Sequence, residues 1–296
     1  MNPYWGTDFI SFLALFVQRV CTGAILQPTS DEIQVLTLSA VAAACGLLGP
    51  FLVLRRMTML ANSLSHTVLL GIVAFALVFG GSLLGGALIA ALLTGLLTEG
   101  LHKLFRIPED ASIGLVFTSL FALALCLIAL FMPNAHMSVE AVMGNPDLLQ
   151  IADLKRAGLA LLCNALFIAL FFERLRLTTF DSGFAQALGL SPRLYQTALL
   201  FMTSWTLVSA FRAVGLILVL GFLVGPYLSM RLLSPSLKRI LWGAPLLGAA
   251  VSLVGVALSR HLLTATGLPL STAGLVATLL PLSYVALFAL HRRRAI

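Results

Sequence analysis

Hydrophobic positions in this chain come in long unbroken runs, without the strict alternation of a half-buried strand or the narrow stripe of a soluble amphipathic helix. Windows of roughly 18 to 25 residues with little charge pick out about nine of them: 34–54, 57–79, 82–101, 111–132, 157–172, 195–211, 213–230, 240–259 and 272–290. Hydrocarbon gives backbone amides no partner outside their own segment, so each run is predicted to be a helix. Ahead of them, residues 1–33 form an N-terminal apolar or interfacial segment, in which DFISFLALFVQRVCTGAILQ is interrupted by Arg19 and followed by the polar PTSDE. This segment has no basic leader and no small-residue cleavage site, so it does not read as a cleaved signal.

Two connections are too long for simple turns. The first, from Met132 to Arg156, carries Gly144 and Pro146; the second, from Glu173 to Tyr195, mixes charge with a short amphipathic run in which Phe184, Leu188 and Leu190 fall near helical spacing. The second is either an ordinary membrane-surface helix or a docking element for a soluble partner. Gly81 with Gly85 and Gly221 with Gly225 give the four-residue spacing that lets helices approach closely in lipid. Gly225 followed by Pro226 predicts a kink or a broken helix.

Composition turns this pattern into a location. The chain is 60% hydrophobic and only 10% charged, with a mean hydropathy of +1.05, more apolar surface than one soluble core can hide. The expected fold is an all-α, polytopic integral membrane protein with about 8–10 transmembrane helices. The basic residues sit one or two at a time in connections, which argues against nucleic acid as a partner. If the Arg55–Arg56 turn is cytoplasmic, thirteen of the eighteen Lys and Arg lie on that side, as the positive-inside rule expects. The four cysteines, Cys21, Cys45, Cys126 and Cys163, are scattered singly and read as packing residues.

One run carries chemistry. In MTMLANSLSHTVLLG, Asn62, Ser65 and His66 fall on or near one helical face, and His66 lies ten residues beyond Arg56, roughly 15 Å into the membrane. Polar groups at that depth are costly unless they face protein or water. Imidazole titrates near neutral pH and is a common transition-metal ligand, so the residues permit metal transit, a proton relay, or hydrogen bonds that join helices. Catalytic alternatives find no footing: there is no HExxH, no paired intramembrane carboxylates and no Gly-rich serine motif. A GxxxxGK[ST] loop is also missing, so any ATP hydrolysis belongs to another chain.

Four ordered stretches, FLVLRRMTMLANSLSHTVLLG, IPEDASIGLVFTSLFALAL, FDSGFAQALGLSP and FRAVGLILVLGFLVGPYLSMRLL, together resemble the permease subunits of ABC importers for manganese, zinc and iron. The resemblance runs from about residue 36 to 290 and implies an ABC-importer permease domain over 34–296, in a bacterial cytoplasmic (inner) membrane. It makes His66 a metal ligand of the transport pathway, with Asn62 where the family usually has Asp and Ser65 nearby. An amide cannot offset cation charge as a carboxylate does, which implies a weaker site or one completed by a partner. A cytoplasmic coupling segment is implied over about 176–193, with Phe180, Asp181, Phe184, Ala187, Leu188 and Gly189 presented to the ATPase. The partners implied are that cytoplasmic ATPase subunit, a second permease of the same or a different chain, and an extracytoplasmic metal-binding protein; no cofactor is bound permanently, and Mn, Zn or Fe is cargo. The outer connection, with His136 and Glu140, is either a solvated loop or a face toward that metal-binding protein. The alternative to an ATP-driven permease is a proton-coupled secondary transporter with His66 as proton carrier.

Overall fold

Each of the nine apolar runs is carried by a helix, as hydrocarbon requires of backbone without outside partners. The structure, a computed structural model, describes Tyr4 and residues 8–22, 28–79, 83–131, 146–267 and 270–294. Among these residues ten α-helices follow in order: α1 (Phe9–Cys21), α2 (Ser30–Leu54), α3 (Thr58–Phe79), α4 (Leu83–Phe105), α5 (Glu109–Phe131), α6 (Ile151–Phe180), α7 (Ser182–Ala187), α8 (Pro192–Leu233), α9 (Leu237–Thr266) and α10 (Thr272–Arg294). A 3-10 turn, Pro146–Leu148, precedes α6. Six helical stretches among the described residues are long and apolar enough to cross a membrane, in α2, α3, α5, α6, α9 and α10.

Two expectations about the connections change. The run 157–172 belongs to a longer helix, because α6 continues through its polar end to Phe180. There an Arg176–Glu173 pair at 2.9 Å spans one turn, and Thr178 and Thr179 bond back to their own helix. The long connection therefore shrinks to α7 and its flanking turns. The runs 195–211 and 213–230 both lie in α8, which breaks at Gly215 (φ 74°, ψ 169°) while Gly225 and Pro226 remain helical. Only glycine occupies that combination of angles without severe strain.

The chain packs as two compact units, Met1–Gly49 with Val142–Leu162 and Ser209–Ile296, and Pro50–Ala141 with Cys163–Val208. In the first, small residues let backbones meet: a methyl on Gly49 would collide with the Leu223 carbonyl, and one on Gly46 would lie 2.9 Å from the Pro245 nitrogen. Leu38, Ala42, Cys45, Leu48, Phe222, Val256 and Val276 are buried in this unit. Its polar end is an ion-pair lattice. Arg19 of α1 pairs with the buried Glu32, which also accepts from the Tyr4 hydroxyl and the Thr29 amide, both at 2.8 Å. Arg260 pairs with the buried Asp31. Asp147 accepts from Gln34 Nε2 at 2.8 Å and from Thr272 Oγ1 at 2.9 Å. The Arg19 that interrupts the first apolar stretch thus fastens α1 to the start of α2.

In the second unit α3 packs on α4 and α5 around Leu69, Leu70, Val73, Ala124 and Ile128. Gly71 and Gly86 meet backbone to backbone, each occupying the place where the other's methyl would go. Between the same helices Thr94 Oγ1 donates to Thr67 Oγ1 at 2.8 Å. Asn164 Nδ2 of α6 donates to Thr206 Oγ1 of α8 at 2.7 Å, a polar tie inside the apolar bundle.

Candidate functional site

Helix α3 starts from a tight three-residue turn. The Arg56 amide bonds to the Val53 carbonyl at 3.0 Å and the Met57 amide to the Leu52 carbonyl at 2.8 Å, with Arg56 in the left-handed region at φ 59°. This is the paired bonding that ends helices at a left-handed residue, and Met57 and Leu52, the positions where an apolar contact commonly accompanies it, are both buried. Beyond the turn, Leu60, Ala61, Leu64, Thr67 and Val68 are buried. Met59, Asn62 and His66 share another face by their three- and four-residue spacing. Met59 is 58% exposed, and Asn62 and His66 are half-buried. The polar pair therefore shares a face with the exposed Met59 rather than with the buried side chains of α3. Ser65 lies on the same helix, and its side chain is outside those described.

The imidazole of His66 is bracketed by two rings from α5. Phe117 lies 5.0 Å from it, centroid to centroid, and Phe121 lies 5.3 Å away edge-on. Its Nδ1 is buried and has no hydrogen-bond partner among the described residues. The rings fix the plane of the imidazole and leave a nitrogen lone pair or N–H unspent. The aromatic pair had a signal in the sequence, since Phe117 and Phe121 are four apart in IPEDASIGLVFTSLFALAL. Their meeting with His66 had none. Among the described residues no three His, Cys, Asp or Glu side chains gather as a metal would need. Among the described residues, His66 and Asn62 together make at most part of such a set.

The segment after α6 is built from local signals. The Asp181 carboxylate accepts from the Phe184 amide at 2.8 Å and so caps α7. Gly189 closes it at φ 78°, its amide bonding to the Gln186 carbonyl at 2.9 Å and the Leu190 amide to the Ala185 carbonyl at 2.9 Å. Ser191 and Pro192 then open α8. Ala185 is buried, while Phe180, Phe184 and Leu188 are 63%, 53% and 56% exposed, and Ala187 is exposed beside them. Phe180 at the end of α6, Phe184 in α7 and Leu188 just after it thus hold three large apolar side chains outward, a surface that suits either a protein partner or the membrane interface. The polar pair and this segment remain separate, and Arg55 lies between them: its Nε donates to Thr179 Oγ1 at 2.9 Å and its Nη2 to Thr178 Oγ1 at 2.5 Å. His136 and Glu140 lie outside the described residues.

The model of the ABC 3 transport family matches residues 33–288. The chain belongs to this family. As an ABC 3 member it is a membrane permease of an ABC transporter, and its work is transport, not catalysis. It is 34% identical to a Chlamydia pneumoniae protein named "Probable metal transport system membrane protein", over 89% of this chain and 84% of that one. It is 36% identical to the manganese transport system membrane protein MntD of Bacillus subtilis, over 73% of this chain and 78% of that one. A solved structure of PsaBC from Streptococcus pneumoniae in complex with Fab superposes with a TM-score of 0.80 over 93% of this chain and 95% of that one. At 23% identity the superposition bears on the fold, which is shared along almost the whole length.

Proposed function

We propose that this ABC 3 permease is half of a dimeric channel that carries a divalent transition metal, Mn, Zn or Fe, inward across a bacterial cytoplasmic membrane. The observation that carries the reading is the placing of Asn62 and a half-buried His66 on one face of α3, with the buried ring Nδ1 of His66 lacking a hydrogen-bond partner among the described residues. His66 is the ligand from this chain. Asn62 adds a neutral oxygen, and a sibling permease supplies the carboxylate that offsets the cation's charge in low dielectric. The relatives named for metal and for manganese transport support the choice of cargo. The permease domain is residues 34–296, with residues 1–33 as an accessory N-terminal segment. Residues 176–193 form the cytoplasmic coupling segment, in which Phe180, Phe184 and Leu188 meet a separate ATPase subunit while Asp181, Ala187 and Gly189 shape the element. An extracytoplasmic metal-binding protein delivers the ion at the opposite face. The family match lends no support to the proton-coupled alternative.

The test is ATP-dependent uptake of Mn, Zn and Fe by the chain reconstituted with its ATPase and partner permease. His66→Ala should lose roughly tenfold or more, the factor that about 1.4 kcal/mol of site stabilisation represents. Asn62→Asp should match or exceed wild type. Wild-type uptake by His66→Ala overturns the site, and near-equal uptake by this chain as a lone homodimer overturns the sibling carboxylate.

A further inference from the structure

An arginine near the membrane surface ordinarily keeps its head in water, as the exposed Arg56 does. Its neighbour Arg55 does not. The Arg55 guanidinium is half-buried, and burial pushes its pKa down to about 10. No carboxylate pairs with it among the described residues; it rests on two neutral hydroxyls, Thr178 and Thr179. Orientation by the positive-inside rule needs a cation on that side but not a desolvated one.

The hydroxyls are arranged to receive it. Thr178 donates its own proton to the Arg174 carbonyl at 2.8 Å and Thr179 to the Leu175 carbonyl at 2.5 Å, which leaves their lone pairs for the guanidinium. Two adjacent acceptors fit the planar fork of arginine, whereas a lysine ammonium offers only a point charge. Both threonines stand immediately before Phe180 and the Asp181 cap, so α7 hangs from the residues that Arg55 grips. On the other side, the hydrogen-bonded turn at Arg56 and Met57 leads into α3 with no glycine between. Along α3, Asn62 lies about 10 Å and His66 about 16 Å from Arg55. All of these residues belong to the same compact unit.

We infer that Arg55 is a positioning residue that transmits displacement of α7 to α3, so that movement imposed on the coupling segment reaches Asn62 and His66. The inference rests on the proposed function, because it takes α7 as the ATPase contact and α3 as the site helix. Arg55 touches no cargo; it makes the end of α6 and the start of α3 move as one piece.

The complete transporter, with partner permease and ATPase, provides the test. ATP hydrolysis and Mn uptake are measured on the same vesicles to give metal carried per ATP. Arg55→Gln, and separately Thr178→Val with Thr179→Val, should lower that ratio by roughly tenfold or more, a usual size for coupling between two sites. Arg55→Lys should fall between them and wild type. A role limited to stability lowers uptake and hydrolysis in step and leaves the ratio unchanged, and that result overturns the inference. A second readout does not depend on the cargo: the labelling rate of Met59→Cys on α3, followed by peptide mass so that native cysteines do not interfere. With the wild-type Arg55 this rate should change on nucleotide binding, and with Arg55→Gln it should not; a change that persists in Arg55→Gln overturns the inference. Absence of Mn, Zn and Fe uptake by the wild-type transporter would refute the proposed function alone, and the labelling comparison would still decide the role of Arg55.

Discussion

Replacing Gly71 with alanine tests the crossing that holds the site helix. The added methyl would lie 2.7 Å from the Gly86 carbonyl carbon and 2.5 Å from Ala90 Cβ, and would collide with the Gly86 carbonyl oxygen. Ordinary carbon contacts are about 3.5–4.0 Å, so α3 and α4 must separate by about 1 Å. A gap of that size forfeits up to about half of each dispersion well along the crossing. Because the obstacle is backbone on both sides, no change of rotamer relieves it, and the cost should reach the upper end of the overpacking range, about 3 kcal/mol. Alanine recovers at most about 1 kcal/mol in helix propensity. The net expectation is a loss of about 2 kcal/mol. Gly114→Ala is the control, since its methyl meets nothing within 4 Å and should leave stability equal or slightly higher. Both variants are compared by reversible unfolding in mixed micelles, together with ATP-dependent uptake, because widening the crossing also stretches the Thr94–Thr67 bond beside the site. Equal midpoints for Gly71→Ala and Gly114→Ala would refute the close crossing and the reasoning from it.

Gly215→Ala should cost about 1–3 kcal/mol, because alanine cannot hold φ 74° with ψ 169° without strain; an unchanged thermal midpoint would mean that α8 does not break there. Glu32→Gln places an amide among three donors, Arg19, Tyr4 and the Thr29 amide, and should loosen α1 enough for trypsin to cut after Arg19 roughly tenfold faster. Unchanged cleavage would show that the pair does not hold the helix. Asp181→Ala removes the cap of α7, worth about 0.5–2 kcal/mol, and should weaken titrated binding of the ATPase subunit by roughly 2- to 30-fold, while Asp181→Ser, which also caps, should restore it. Weakening by the serine variant equal to that of the alanine variant would show that the carboxylate acts by charge rather than as a cap.

Much of the architecture was legible in the chain before folding. Nine apolar runs predicted nine helical passages, and each is found in a helix. The Asp181 cap, the Gly189 closure and the Ser191–Pro192 start could all be anticipated, because those signals act over three or four residues. His66 and Asn62 stood out because polar side chains in hydrocarbon need a reason. Hydrophobicity misjudged the end of α6, where the helix outlasts its apolar run to Phe180. Gly225 and Pro226 predicted a kink or a break, and the residue with non-helical angles in α8 is Gly215.

What only the tertiary structure decided is which faces meet. Gly221 and Gly225 carry the familiar spacing, yet they face side-chain atoms of Leu280, while backbone-to-backbone approaches are made at Gly46 and Gly49 and between Gly71 and Gly86, none of which has that spacing. The partners of His66 are rings on a helix about fifty residues away, and Arg19 and Arg55 find Glu32, Thr178 and Thr179 only when their helices pack. The physical reason is that a helix in lipid is specified by its own backbone hydrogen bonds and by local apolarity. The pairing of helices has no comparable hydrophobic force behind it and is settled by close fit and a few polar contacts summed over the whole bundle.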